Sequence, residues 1–235
     1  MQDYDLLGPG PPVLVLMKGH PGSGKSTLAR ALARHLRCPL VDKDDARDVF
    51  EAHVAAQPRE NGGARAADCN WNELSYAVMF QVAGTQLSLG LHVVVDCPLA
   101  RAQLYEDGLA VARKHGARVC VLECVCGDAA VWRQRLEARG AQQSGAAQGH
   151  KPCTWRQLQD LLAGYSGSWE WPSTMPGVRL VTVDTSACDE QAADATGSAG
   201  EGREQHGGQT QLGTEGACSR RARHAAAALA ACLAS

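Results

Sequence analysis

The chain has 235 residues, with 23 Lys and Arg against 25 Asp and Glu, a formal charge of −2 and 45% apolar residues. This suits one ample soluble domain or two small ones, with a core that needs no disulfide or metal staple. No run approaches the roughly 18–20 apolar residues of a membrane span. The acidic opening Met1-Gln2-Asp3-Tyr4-Asp5 is unlike a secretory signal or an organelle transit peptide.

Residues 1–12 end in Gly8-Pro9-Gly10-Pro11-Pro12 and are expected to form a flexible leader. From Val13 to Thr185, short runs of Val, Leu and Cys alternate with segments of helical period. Strands are predicted over 13–18, 39–41, 92–96, 118–124 and 178–184. Their apolar residues barely alternate, as expected of parallel strands covered on both faces. Helices are predicted over 25–36, 45–56, 72–89, 103–115, 129–139 and 155–163. In the third, Leu74, Val78 and Val82 recur at i+4 and form an apolar stripe. The last opens with the capping box Thr154-x-x-Gln157. Strands alternating with helices predict an α/β domain over 13–186, with three layers.

After Ser186 the composition turns to Gly, Ala, Gln, Thr and Ser. A segment so poor in large apolar residues cannot offset its ordering entropy, so 187–217 is expected to be disordered. Residues 219–235 can form a short helix but are read as an uncommitted end of a low-complexity tail, 187–235. On this reading, deleting the tail leaves thermal stability nearly unchanged. Residues 187–235 carry six acids and four bases, leaving 19 of each in residues 1–186. So even a balance does not suggest the broad positive surface of a sequence-blind nucleic-acid binder, although it leaves room for a local basic groove. The ten cysteines, without C-x-x-C pairing, are read as reduced thiols filling the core of a cytoplasmic protein.

The most informative segment is Gly19-His20-Pro21-Gly22-Ser23-Gly24-Lys25-Ser26-Thr27, between a buried strand and a helix. It fits G-x-x-x-x-G-K-[ST]. Phosphate oxygens need several donors converging on one point, and a glycine-lined bend lets backbone N–H groups approach that closely. The helix start adds its positive dipole end. Lys25 then reaches the β- and γ-phosphates of ATP, and the Ser26 hydroxyl holds Mg²⁺. Asp96, closing the apolar run His92-Val93-Val94-Val95, is the candidate for orienting the metal shell.

The cluster Asp42-Lys43-Asp44-Asp45-Ala46-Arg47 follows the second strand, whose carboxyl end opens onto the same crevice. A carboxylate there can take the proton of an acceptor hydroxyl during in-line transfer. Asp44 or Asp45 can equally be a plain helix cap. Arg135 and Arg139, four apart on one helix face, precede a Gly- and Gln-rich stretch, 140–149, that would suit a moving lid. Arg133 lies on another face, and Lys151 is a weaker lid candidate. Asn70 to Tyr76 can line an acceptor pocket or simply start a helix, with Trp71 and Tyr76 in the core.

With the order phosphate loop, D-x-D-D-x-R, apolar strand ending in Asp, then R-x-x-x-R, the chain resembles the small-kinase branch of P-loop NTPases. That branch contains polynucleotide 5′-kinases, chloramphenicol phosphotransferase, gluconate kinase and zeta-toxin-type kinases. Closer still, the chain is similar to a group of plant and algal P-loop kinases known from sequence. The resemblance covers about Val13 to Thr185. It implies a five-stranded parallel sheet with the Asp96 strand beside the phosphate-loop strand, and ATP with Mg²⁺. It also implies Asp44 as general base, Arg47 as substrate-steadying group, and Arg135 and Arg139 as lid arginines. Where polynucleotide kinases carry polar residues after the strand-end Asp, this chain has Cys97-Pro98-Leu99. The expected reaction is therefore phosphoryl transfer from Mg-ATP to a small hydroxylated molecule, by a monomer or weak dimer. The alternatives are an ATPase or nucleotide-dependent switch, and a polynucleotide 5′-hydroxyl kinase. No N-K-x-D motif reads a guanine, and Cys97 stands where mechanical ATPases place Glu.

Overall fold

The computed structural model describes Leu7 and residues 10–55, 70–142, 151–165, 167–186 and 209–234. Five strands form one fully parallel sheet: β1 (Val13–Lys18), β2 (Leu40–Asp42), β3 (Val93–Asp96), β4 (Arg118–Val125) and β5 (Leu180–Asp184). Their order is β2-β3-β1-β4-β5. The helices are α1 (Lys25–Leu36), α2 (Lys43–Ala55), α3 (Trp71–Ser88), α4 (Ala102–Lys114), α5 (Ala129–Gln142), α6 (Trp155–Gly164), α7 (Trp171–Thr174) and α8 (Gln209–Ala234). The predicted elements match to within a few residues at their ends. The Asp96 strand lies beside the phosphate-loop strand, as the resemblance implies.

All six residues of β1 are buried. Its alternate side chains feed two cores. Val13, Val15 and Met17 pack with Leu28, Leu32 and Leu36 of α1 and with α8. Leu14 and Leu16 pack with Met79, Phe80 and Leu87 of α3, Leu104 and Tyr105 of α4, and Trp171. Burial on both sides is what parallel strands require. Parallel pairing also brings every strand's carboxyl end to one edge of the sheet. Met17 pairs with Asp96, Asp42 with Asp96, and Lys18 with Glu123.

The capping box forms as expected: the Gln157 amide donates to Thr154 Oγ1 at 3.2 Å, and Thr154 N–H donates to Gln157 Oε1 at 3.1 Å. The stripe read in α3 is corrected. Leu74 and Val82 are 38% and 40% exposed, and the buried face is Tyr76, Met79, Phe80, Ala83 and Leu87. This helix is apolar over most of its circumference, so i+4 spacing alone does not select the face. The bulkier arc faces the sheet.

Leu7 of the leader and α8 of the tail pack against the domain. Leu7 is buried in the α1–α8 core. Within the segment 187–217 expected to be disordered, α8 begins at Gln209; residues 187–208 and lid positions 143–149 lie outside the described residues, and lid positions 140–142 close α5. Far from uncommitted, α8 runs beside α1 and buries Ala222, Ala225, Ala226, Leu229 and Leu233. Small side chains on both helices, with Ala29 and Ala33 on α1, allow close approach. At the lower end, the Cys232 thiol lies 4.0 Å from that of Cys120 in β4. Cys97, Cys120, Cys124 and Cys126 are all buried free thiols. Among the described residues, no helix is long and apolar enough to cross a membrane.

Burying a leucine contributes about 1.5–3 kcal/mol, and truncating one in a packed core costs about 2–5 kcal/mol with its cavity. Leu229→Ala is accordingly expected to lower unfolding stability by about 2–5 kcal/mol. Deletion of residues 209–235 is expected to lower it further, in contrast to the sequence expectation. Urea denaturation of the two variants against the full chain tests this, and an unchanged midpoint would show that α8 is not part of the core.

Candidate active site

The phosphate loop leaves β1 and enters α1 through Gly22 and Gly24, both at φ +80°. A side chain at either position would be strained by its backbone, and one at Gly24 would also press on Thr185 Oγ1, 3.2 Å from where its Cβ would sit. No side chain caps α1. Among the described residues, the N–H groups of Gly22, Gly24, Lys25 and Ser26 donate to no protein acceptor. These are the donors an anion at a helix start would take.

Three contacts hold the bend in shape. Gly19 N–H donates to Pro98 O at 3.3 Å, the Trp132 indole donates to Pro21 O at 2.8 Å, and the Thr185 hydroxyl donates to Ser23 O at 2.6 Å. His20 lies among Trp132, Tyr165 and Trp169, stacked on the last at 3.5 Å between ring centroids. Burial, with the nearby Lys18 charge, pushes its imidazole down to about 4. The ring is thus neutral and packed among aromatic side chains. Lys18 is fully buried, paired with Glu123 at 2.6 Å and seated over the Trp169 ring at 3.5 Å.

Lys25 makes a very close ion pair with Asp96. Burial opposes its charge, but the Asp96 carboxylate outweighs that and holds the ammonium above its usual value. Asp96 Oδ2 is buried with no hydrogen-bond partner, and Ser26 lines the cavity beside it. A hard oxygen set with one unsatisfied carboxylate oxygen fits a Mg²⁺ ion held mainly by phosphate and water. Among the described residues there is no cluster of three His, Cys, Asp or Glu that would make a protein-only cage.

Asp42 escaped the sequence reading as a site residue. It closes β2 opposite Asp96, and its Oδ1 accepts the Asp44 N–H at 2.9 Å. Burial and the Asp96 charge raise its carboxyl to about 6. Asp44 is in the opposite state. Burial would raise it, but Lys151 at 2.6 Å and Lys43 at 3.0 Å hold it well below the ordinary carboxylate range. Lys151, weighted lightly in the sequence, is therefore a direct partner of the candidate base. Arg47 pairs with Glu51 at 2.8 Å and, like Lys43, donates to Asn72 Oδ1 at 3.1 Å.

Arg135 donates to Thr185 O at 2.7 Å and to Thr185 Oγ1 at 3.1 Å, which ties α5 to the end of β5 beside Gly24. Arg139 donates to Pro152 O at 2.7 Å. Arg133 pairs with Glu137 on the exposed side, outside the site. Thr185 touches the phosphate loop, Arg135 and β4 but belongs to no motif in the sequence. Trp71 packs on Phe50, whereas Asn72 and Tyr76 face the crevice.

One cavity of about 1360 Å³ is lined by the loop from Gly19 to Thr27 except Ser23, and by Asp44, Arg47, Arg135, Arg139 and Lys151. An ordinary small-molecule site is about 300–1,000 Å³, so the volume suits two ligands side by side. The chain's near-neutral total hides a local excess here: among the described residues, Asp44 is the only acid in the lining, against nine Lys and Arg.

Fold and site together define a P-loop NTPase of the kinase type. Residues 14–165 match the family model described as AAA domain (AAA_33), and the chain belongs to that family. No curated protein matches the sequence significantly. A solved protein from Chloroflexus aurantiacus j-10-fl, inferred to be a kinase, is similar at 26% identity and TM-score 0.56, covering 75% of this chain and 89% of its own. A gluconokinase from Sinorhizobium meliloti 1021 is similar at 18% identity and TM-score 0.50, covering 95% and 96%. Chaetomium thermophilum Kti12, solved with ADP-AlF3, is similar at 19% identity and TM-score 0.50, covering 76% and 92%. The last two share the fold.

A carboxyl whose pKa is raised on folding favours the folded state at low pH and loses that contribution as pH rises through its folded value. Asp42 thus burdens the nucleotide-free protein above about pH 6. Asp42→Asn keeps an acceptor for the Asp44 N–H and removes the charge. It is expected to stabilise the protein by about 1–2 kcal/mol at pH 8, with the gain fading at pH 5. Denaturant titrations at the two pH values would read this, and a gain equal at both would refute the shift.

Proposed function

We propose that this chain is a Mg-ATP-dependent phosphotransferase that moves the γ-phosphoryl to a hydroxyl of a small, negatively charged molecule. The observation that carries the reading is the placement of Lys25 and Asp44 in one cavity, at the carboxyl ends of β1 and β2 with β3 between them. The loop amides and Lys25 take the triphosphate, with Lys25 exchanging its partner Asp96 for phosphate oxygens. Ser26 and Asp96 would hold Mg²⁺, whose charge would offset that of the phosphates.

The acceptor lies over Asp44, between α2, α3 and the Arg139–Lys151 side of the cavity. Its hydroxyl donates to the Asp44 carboxylate while its oxygen attacks the γ-phosphorus in line. The bond to the β–γ bridging oxygen breaks, ADP carries the electron pair away, and the acceptor's proton passes to Asp44. In the loose transition state of phosphoryl transfer little proton transfer is needed before the bonds change. A carboxylate held ionised by two lysines therefore works first as an orienting acceptor. Arg135 and Arg139 lie where charge develops on the moving group. Lys43, Arg47, Arg101, Arg139 and Lys151 make the acceptor half cationic, and this favours an acceptor bearing a carboxylate or phosphate over a neutral sugar. A 5′-hydroxyl oligonucleotide would meet the same cations and is the competing acceptor.

Lys25→Ala is expected to weaken Mg-ATP binding by roughly 10- to 100-fold, because a buried phosphate loses its charge-assisted partner. Asp44→Asn is expected to leave ATP binding intact and cut transfer by roughly 100- to 10,000-fold. Calorimetry of both variants, with an ATP-consumption screen over hydroxy acids, sugar phosphates, neutral sugars and 5′-hydroxyl oligonucleotides, tests the assignment. Water-directed turnover that persists in Asp44→Asn, with no acceptor found in any pool, would replace the kinase by an ATPase.

A further inference from the structure

α8 lies beyond the residues 14–165 matched by the family. Its lower half is a core element, but its upper half borders the site. Ala217, Cys218 and Arg221 line the same cavity as Gly24, Lys25, Ser26 and Thr27. Cys218 Sγ is 3.6 Å from Thr27 O, so the two helices meet just past the phosphate loop. Arg221, three residues on, shares this face. Its Nη2 is buried and has no hydrogen-bond partner among the described residues. A buried guanidinium N–H without an acceptor is costly, so such a donor implies an acceptor brought by a ligand.

The sheet order says which part of the ligand this is. Asp44 and Asp42 sit on the β2 side, so the transferable end of the triphosphate points that way. The other end of the donor must then leave toward β4 and β5, where Thr185 and α8 stand. Arg30, which also lines the cavity, leans toward Asp42 at 4.0 Å instead. Arg223 is exposed and donates to Ser219 Oγ at 3.1 Å, outside the cavity.

We propose that α8 is one wall of the donor site and that Arg221 binds the nucleoside half of the nucleotide, through a ribose or base acceptor. The inference rests on the ATP-binding reading above and adds a residue and a helix to it. Because the docking of α8 is built into the core, the wall is present before the nucleotide arrives, and Arg221 selects a nucleotide over a bare polyphosphate.

The full-length protein is titrated calorimetrically with Mg-ATP and with magnesium tripolyphosphate. Arg221→Ala is expected to weaken ATP about 10-fold, leave tripolyphosphate unchanged and leave the melting temperature unchanged, while Arg223→Ala changes none of these. Equal weakening of both ligands would move Arg221 to the phosphates and overturn the nucleoside assignment. No weakening of either would overturn it altogether. A second measurement needs no variant: Mg-ATP, but not tripolyphosphate, is expected to slow alkylation of Cys218 in the wild-type chain, read by mass spectrometry. ATP that binds with measurable heat yet leaves Cys218 as reactive as before would show that α8 does not wall the site. Failure of the underlying reading has a different signature: the wild type would then bind neither ligand, and Lys25→Ala would look like the wild type.

Discussion

The organisation of the site depends on the ion pair between Lys25 and Asp96. Both groups are nearly sealed from water, with side-chain exposures of 13% and 1%. Neither charge could persist there alone, since an unpaired buried ion costs several kcal/mol. Each is the other's solvent until phosphate arrives. The pair joins the first turn of α1 to the end of β3, and so sets the phosphate loop against the strand that carries Asp96. On the proposed reading, a triphosphate with its cation would replace this pair by two new ones, Lys25 with phosphate oxygens and Asp96 with the metal's shell. The resting pair would then be a placeholder of matching charge, and exchanging it would leave no buried ion unpartnered.

The same edge holds charge in an unfavourable arrangement as well. Asp42 and Asp96 stand side by side across β2 and β3, and only Lys25 lies close enough to offset both. A sheet edge chosen for stability alone would not place two carboxylates in that register. Their cost is met by the apolar strands beneath, and their presence makes sense if a divalent cation and an acceptor hydroxyl are to be met there. Lys18 is a second buried ion, but a structural one: Glu123 and the Trp169 ring satisfy it, and through Trp169 it braces His20 and the loop from behind.

What the sequence disclosed and what it hid follow from distance along the chain. The phosphate loop, the capping box and the strand-end Asp96 are local devices, because their chemistry sits within a few residues and a short pattern contains it. The β-strands were legible because burial on both faces leaves unbroken apolar runs. Thr185 and Lys151 act through partners 50 to 162 residues away, and Arg221 through a cavity assembled from several elements, and no spacing rule reports that. Asp42 was visible as a residue but not as a neighbour of Asp96. Net charge misled in a related way: 19 acids and 19 bases in residues 1–186 average to zero, yet the fold sorts the cations into the crevice. In α8 the signal was present but faint. Ala222, Ala225, Ala226, Leu229 and Leu233 recur at helical spacing, but alanine weighs little in any hydrophobic count, although two alanine faces let helices approach closely.

The electrostatic contrast between the two strand-end carboxyls has a mechanistic sense. Asp42, raised by burial and by Asp96, is sensitive to whatever positive charge enters beside it. Asp44, held down by Lys43 and Lys151, stays ionised over any working pH but is a poor proton acceptor while both lysines remain. Lys151 reaches Asp44 with a compact point charge on a long stem, and under the proposed function an anionic group on the acceptor would compete for it. Were that group to draw Lys151 away, the Asp44 carboxylate would recover basicity just when a hydroxyl lay against it. Acceptor charge would then do more than improve binding, because it would switch the base on, and a neutral molecule of the same shape would leave the base clamped.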